Sequence, residues 1–279
     1  MSNNVSQENT EQILHENTLY AEPVFHVGGF PITNSLINSW LAVLIVVALA
    51  WSLKGKIKQV PKGLQNVLEM VFEAFFGIFD SVTGNRKKTL KLAPFVLAFF
   101  FFVLINNWMG LLPGVGSIGQ IVLSEEGHKL FIPYFRGATA DLNTTLALAT
   151  LAVVASHIMG VVALGWWKYL NKFVNIKVLL QIPKKIIKDP TILLISPSKF
   201  FVGLIEVVGE LSKIASLSFR LFGNIFAGEV LLASMSAIFA FGLPLPFMFL
   251  EIIVGLIQAL IFAVLVLIYM SIATTAEEH

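Results

Sequence analysis

The sequence predicts an all-α polytopic membrane protein. It has five transmembrane helices and one interfacial amphipathic helix, and the last two crossings form a long, strongly tilted hairpin. Three observations carry this expectation. Of the 279 residues, 56% are hydrophobic and 13% are charged, whereas soluble domains carry about 25% charged residues. Apolar runs at 35–53, 94–113, 141–167, 199–241 and 247–273 are each long enough to cross a hydrocarbon core of about 30 Å as a helix. The lysines and arginines collect in clusters between these runs, where topology accounts for them. They form no nucleic-acid footprint. The chain has no cysteine, which excludes disulfides and thiolate metal sites. No cofactor and no metal are expected.

Residues 1–34 are polar, with Glu8, Glu11, Glu16 and Glu22 and no Lys or Arg. A secretory signal opens with a basic region, so no cleaved signal is expected. The segment reads as a loosely folded external tail. The first crossing, 35–53, has Trp40 and Trp51 near its ends, where interfacial aromatics sit. Residues 63–80 then change pattern. Leu64, Val67, Leu68, Val71, Phe72, Phe75, Phe76 and Phe79 fall on one helical side, and Gln65, Asn66, Glu69, Glu73 and Asp80 fall largely on the other. An amphipathic helix in the membrane interface follows. Its polar face is acidic, which makes anionic lipid a poor partner for that face and a neighbouring protein a better one. Simple packing of the helix against the chain's own transmembrane helices is the other reading.

Pro94 opens the second crossing, which holds Asn106 and Asn107 in its far half and ends near Pro113. A Gly-rich connection over 114–140 leads to the third crossing, which starts at a polar edge, Asp141, Asn143, Thr144 and Thr145. His157 lies near the middle of this crossing and reads as a packed, hydrogen-bonded histidine. Residues 168–199 hold seven lysines and are broken by Pro183, Pro190 and Pro197 into a loop with one short helix. Clusters after the first crossing, before the second and after the third hold 15 of the 19 basic residues. All three fall on one side, which the positive-inside rule makes cytoplasmic. The N-terminus is then external, and residues 276–279 are cytoplasmic. Two of the remaining basics, Lys129 and Arg136, lie in the external loop. The last two, Lys213 and Arg220, lie inside a membrane segment.

No proline occurs between Phe200 and Phe241, so one helix can cover 199–241. At 1.5 Å per residue it would be roughly 60 Å long, and a straight helix of that length fits a 30 Å core only with a tilt of roughly 60°. Gly242, Pro244 and Pro246 turn it into the last helix, 247–273. Glu206, Glu210, Lys213, Arg220 and Asn224 recur at helical spacing and share a face, with Ser216 four residues before Arg220. Glu229 is half a turn off that face and needs a different neighbour, expected on the last helix. There Glu251 and Gln258, seven apart, share a face. An arginine at a bilayer centre costs roughly 2.5–3.5 kcal/mol on insertion scales, and the side chain cannot shed its proton to escape the cost. A permanent buried cation implies an anionic visitor. Glu206, Glu210 and Lys213 read either as an ion-paired helix end or as functional groups.

The run Ser216-Leu217, Arg220-Leu221, Gly223-Asn224 and Ala227-Gly228-Glu229 resembles the signature of subunit a of the F-type rotary ATP synthase. Val60-Pro61 with Gln65 and Glu69, Ala93-Pro94, Asn107 before Gly110-Leu111-Leu112-Pro113, Asp141 and Asn143, Gln258-Ala259 and Tyr269-Met270-Ser271 extend the likeness across roughly 35–275. The resemblance implies a non-catalytic, proton-translocating stator in the inner membrane of a bacterium. Its partners would be the ring of c subunits, the b subunits of the peripheral stalk and membrane lipid, and no nucleic acid. Carried over residue by residue, Arg220 is the essential arginine facing the ring carboxylates. Asn224, Glu229 and Gln258 resemble the external half-channel, with Asn107, Asp141 and Asn143 as its access residues. Glu206, Glu210, Lys213 and Ser216 resemble the cytoplasmic half-channel. Glu251 stands where some members carry histidine, which makes the external path more acidic. His157 matches no position of the family.

The rival class is a secondary transporter or ion channel with an intramembrane Arg/Glu site. A transporter predicts a repeat between halves, and none is visible. A voltage sensor predicts several arginines at every third position, and only Arg220 is present. A membrane hydrolase needs a nucleophile facing a base, whereas Ser156 and His157 are merely adjacent in sequence.

Overall fold

The computed structural model describes residues 18–54, 59–112, 114–123, 129–174, 192–240 and 242–275. The protein is an all-α polytopic membrane protein. Among the described residues, five helices are long and apolar enough to cross a membrane: Asn34–Ser52, Arg86–Met109, Leu142–Leu164, Ile205–Ile238 and Pro244–Ala273. Two short antiparallel hairpins sit outside these spans. They pair β1 (Pro23–Val27) with β2 (Phe30–Thr33), and β3 (Gly119–Leu123) with β4 (Lys129–Pro133).

The first hairpin replaces part of the loosely folded tail that composition suggests. Leu19 accepts from the Leu142 backbone N–H at 3.3 Å, and Glu22 accepts from that of Asn34 at 3.1 Å, through their main-chain carbonyls. Pairing with distant backbone, not local propensity, orders this segment. β2 runs directly into α1 (Asn34–Leu53), whose first turn is capped by Thr33 accepting from the Leu36 N–H.

Helix α2 (Leu64–Thr83) carries the amphipathic pattern, and its apolar face packs on the chain's own α3 (Arg86–Met109) and α7 (Pro244–Ala273). Phe75 and Phe79 are buried there, and the Phe75 ring meets Phe100 edge-on at 4.4 Å between centroids. Packing on the chain's own transmembrane helices, one of the two readings left open by the sequence, is what the apolar face does. Helix α3 (Arg86–Met109) begins eight residues before the expected start, with Pro94 inside it. Asn85 supplies the cap, accepting from the Lys87 N–H at 2.9 Å. A proline inside a helix removes one backbone hydrogen bond, and here the capped first turns and the buried Thr89 and Leu92 hold the helix through it. The basic cluster 86–91 therefore rides on the helix. Lys88 Nζ donates to the Ser271 carbonyl at 2.8 Å and to Thr275 Oγ1 at 2.9 Å, placing a cation at the last turn of α7, where the helix dipole favours one.

A 3₁₀ turn (Ala138–Ala140) leads into α4 (Leu142–Leu164), capped by Asp141. α4 stops short of the expected 167 because Gly165 takes φ +86, a left-handed value closed to most residues. The break turns the chain into α5 (Trp166–Val174), which packs back on α4 and α6. The middle of the expected lysine-rich loop lies outside the described residues. Helix α6 (Ile192–Ile238) has 47 residues, roughly 70 Å of helix, and it starts before the expected 199. α7 (Pro244–Ala273) returns alongside it. The core runs between α3 and α7, where Val96, Phe100 and Val103 meet Phe262, Val266 and Met270. Leu217 and Leu221 of α6 close it from the side.

Candidate functional site: an outward arginine between two polar cavities

Helix α6 divides its residues by face. Leu217, Ser218 and Leu221 are buried against the core, while Ser216, Phe219, Arg220, Gly223 and Asn224 are exposed. Ser218 and Thr145 of α4 share a hydrogen bond of 3.3 Å across the buried face. On the open face Arg220 Nη2 donates to Ser216 Oγ at 3.3 Å, one turn back. No carboxylate forms an ion pair with Arg220 among the described residues. One turn forward, Asn224 Nδ2 donates to Gln258 Oε1 of α7 at 2.6 Å. Gln258 is itself buried, so this bond ties the open strip of α6 to the interior of α7.

Toward the α6–α7 turn lies a cavity of about 670 Å³, lined by Asn107, Arg136, Glu229 and Glu251 among others. Glu229 does not find its partner on α7, as the sequence led us to expect. Arg136, which precedes the 3₁₀ turn, grips it in a fork, with Nε to Oε1 at 3.1 Å and Nη2 to Oε2 at 3.0 Å. The half-turn offset of Glu229 from the Arg220 face points it at the 3₁₀ segment. Arg136 is 5% exposed. Its remaining donors go to Thr18 Oγ1 at 3.1 Å and to the carbonyls of Tyr20 and Thr18 at 3.2 and 2.8 Å. Glu251 of α7 is buried, and its carboxylate lies on the main chain at Gly228. A Cβ at Gly228 would collide with that carboxylate, so α6 and α7 can approach this closely only at a glycine. The Asn107 amide donates to the Gly255 carbonyl at 3.0 Å, and its oxygen accepts from Thr139 at 2.7 Å, joining α3, α7 and the 3₁₀ turn.

Asp141 and Asn143 play a different part from the cavity lining. Asp141 accepts from the backbone N–H groups of Ala21 and Asn143 and from the hydroxyls of Ser35 and Thr144, at 2.8 to 3.2 Å. It caps α4 and pins α1 and the N-terminal segment to it. The Asn143 side chain is exposed.

At the other end of α6 a smaller cavity of about 140 Å³ gathers Glu206, Glu210 and Lys213 with His157, Tyr169 and Tyr269. Lys213 Nζ donates to Glu210 Oε1 at 2.7 Å and stands 5.1 Å over the Tyr269 ring. His157 Nε2 is 3.6 Å from Glu210 Oε2, and His157 Nδ1 shares a 2.6 Å hydrogen bond with the Tyr169 hydroxyl. Burial, aided by the negative charges of Glu210 and Glu206, pushes the Tyr169 hydroxyl up to about 12, so it keeps its proton at any physiological pH. Glu210 and Lys213 thus form the ion pair that one reading of this helix end expects, and the hydrogen-bonded histidine of the sequence reading belongs to the same cluster.

Along α6 the two cavities do not overlap. The smaller reaches Lys213 and the larger begins at Ile225, leaving Arg220 between them. The residues that sequence reasoning missed are Arg136, Thr139 and Tyr169. Arg136 left one signal, a basic residue on a loop otherwise nearly free of them. Tyr169 left none, because only the break at Gly165 folds it back.

The family described as ATP synthase A chain matches residues 36–271. The chain belongs to the ATP synthase A chain family. Its relatives include the ATP synthase subunit a of Moorella thermoacetica, 29% identical over 89% of this chain and 94% of the relative. The subunit a of Syntrophobacter fumaroxidans is 30% identical over 92% of this chain and 95% of its own length. That of Legionella pneumophila strain Paris is 28% identical over 94% and 96%. As a member of the ATP synthase A chain family, the protein matches along nearly its whole length, and Arg220, both cavities and the α6–α7 hairpin all fall within the matched residues apart from the last few of α7.

Proposed function

We propose that the chain is the stator subunit a of a rotary ATP synthase, passing protons through two half-channels to and from a ring of carboxylate-bearing helices and so coupling proton flow to ring rotation and ATP synthesis. The observation that carries this reading is Arg220, outward-facing and unpaired by any acid among the described residues, between two separate cavities that each have carboxylates in their walls. The ATP chemistry belongs to other subunits. The larger cavity, with Glu229, Glu251, Asn224 and Gln258 at or beside it, is the external half-channel. The smaller, with Glu206, Glu210 and Lys213, is the cytoplasmic one. The N-terminus is external, and the C-terminus is cytoplasmic. The peripheral stalk and lipid cover the remaining flanks.

The chemistry follows from charge. A ring carboxylate must be neutral to face lipid, because a bare charge there is expensive. One half-channel protonates it, and the other lets it ionise. Beside Arg220 the ionised form gains: at about 4 Å and an effective dielectric of about 20 the attraction is roughly 4 kcal/mol, which favours release of the proton on approach. The guanidinium holds its own protons, so it also blocks direct transfer between the cavities. Net flow then requires rotation, driven in part by about 2.3 kcal/mol per charge per 100 mV.

Replacing Arg220 by Ala abolishes coupled ATP synthesis in membrane vesicles while the complex still assembles. Arg220→Lys fails as well, since a buried lysine can deprotonate. Synthesis at the unmodified rate in either variant overturns the reading.

A further inference from the structure

The inner cavity holds a titratable group that neither composition nor spacing assigned to proton flow. We propose that His157, oriented by Tyr169, exchanges protons with Glu210 and is a relay of the inner half-channel. The proposal rests on the functional reading above.

The placement is specific. α4 supplies His157, α5 supplies Tyr169, α6 supplies Glu206, Glu210 and Lys213, and α7 supplies Tyr269; among the described residues these are the titratable groups lining the cavity. Tyr169 is buried, packed over Gly160 and against the Ala273 end of α7. It takes one ring nitrogen, Nδ1, at 2.6 Å, which fixes the imidazole plane. The other nitrogen, Nε2, is aimed at Glu210 Oε2 at 3.6 Å, close enough to shorten into a hydrogen bond with a small side-chain movement. Lys213 occupies the opposite Glu210 oxygen at 2.7 Å, so Glu210 is presented to the imidazole on one side only. The His157 side chain is 31% exposed and lines the cavity.

The transfer balances. A proton on the Glu210 carboxyl moves to Nε2: the O–H bond breaks, an N–H bond forms, and an imidazolium stands beside a carboxylate. The Nε2–H bond then breaks to water in the cavity, and the ring returns to neutral with Nδ1–H still donated to the phenol oxygen. The reverse sequence carries a proton inward to Glu210. Imidazole is the side chain suited to both steps near neutral pH. Tyr169 serves as the positioning residue. Because its hydroxyl keeps its proton, it offers no phenolate to trap the imidazolium.

The test uses the whole synthase complex in vesicles, with passive proton flux read after the catalytic head is stripped. His157→Ala and His157→Gln each lower flux roughly tenfold or more. That is less than the 10²–10⁴ typical of a lone acid–base group, because water shares the path. Both variants change the pH dependence of the flux. Added imidazole restores flux to His157→Ala but not to Arg220→Ala. Tyr169→Phe, which keeps the ring and loses only the hydroxyl, lowers flux in the same direction, and it decides the question if His157→Ala fails to assemble. Unaltered flux and pH profile in His157→Gln, or in Tyr169→Phe, overturns the relay. So does loss in His157→Ala that imidazole leaves unrescued and glutamine restores. If the relay fails while Arg220→Ala still abolishes coupling, the subunit reading stands. If Arg220→Ala couples normally, the subunit reading itself is overturned.

Discussion

Arg136 and Glu229 illustrate how much of this site hangs on single side chains. A buried guanidinium that loses its carboxylate, or the reverse, leaves a charge without compensation, and breaking such pairs costs roughly 3–5 kcal/mol. Glu229 keeps about a third of its side chain exposed, so the low end applies. Arg136 also holds Thr18 and Tyr20 of the N-terminal segment. Arg136→Gln therefore destabilises the detergent-solubilised protein by roughly 3 kcal/mol, read as a lowered thermal midpoint. It also exposes Thr18 to Glu22 to proteolysis. An unchanged midpoint would show that the pair is dispensable. At this scale the sequence was partly legible. Arg220, Glu229, Glu251 and Gln258 stand out because each is polar in an apolar run, where polarity is expensive. Arg136 and Glu229 lie 93 residues apart, and no periodicity connects a loop arginine to a helix glutamate. The same holds for His157: its residue type and burial were readable, but its neighbours Tyr169 and Glu210 were not.

Among the elements, α6 and α7 set the geometry. At this end Gly228 packs against the Glu251 carboxylate. Gly228→Ala forces the carboxylate away or the helices apart, an overpacking worth roughly 1–3 kcal/mol, and lowers ATP-driven proton pumping. Adding Glu251→Asp withdraws the carboxylate by one methylene and restores at least part of the pumping. A double variant no better than Gly228→Ala alone would place the defect elsewhere. The helices themselves were legible because length and hydropathy suffice to find them. Their ends were less so. Pro94 reads as a start but sits inside α3, since Asn85 and the turn that Gly84 closes set the true beginning. The third crossing reads through to Trp167, but Gly165 ends it. The two hairpins escaped notice because short strands in polar, Gly-rich segments carry no distinct apolar period.

For the molecule as a whole, one open strip on a long helix separates two cavities that do not meet. α3 and α7 form the core behind it, with Phe262, Val266 and Met270 buried in one cluster with Val96 and Val103. The strip in front consists of Ser216, Phe219, Arg220, Gly223 and Asn224. The class of the fold and the line of α6 polar residues were legible because membrane proteins segregate apolar and charged residues along the chain. The division into two sets of residues came only through the family resemblance, because the cavities themselves depend on how α4, α5 and the 3₁₀ turn pack against α6. The most direct measurement is disulfide cross-linking in this cysteine-free chain. Phe219→Cys and Gly223→Cys, flanking Arg220, are paired with single cysteines placed near the ring carboxylate, and Leu217→Cys on the buried face is the control. We expect rapid cross-links from positions 219 and 223, none from 217, and a cross-linked ring that no longer turns. Cross-links from 217 and none from 219 or 223 would put Arg220 on the wrong side of its helix and contradict the account.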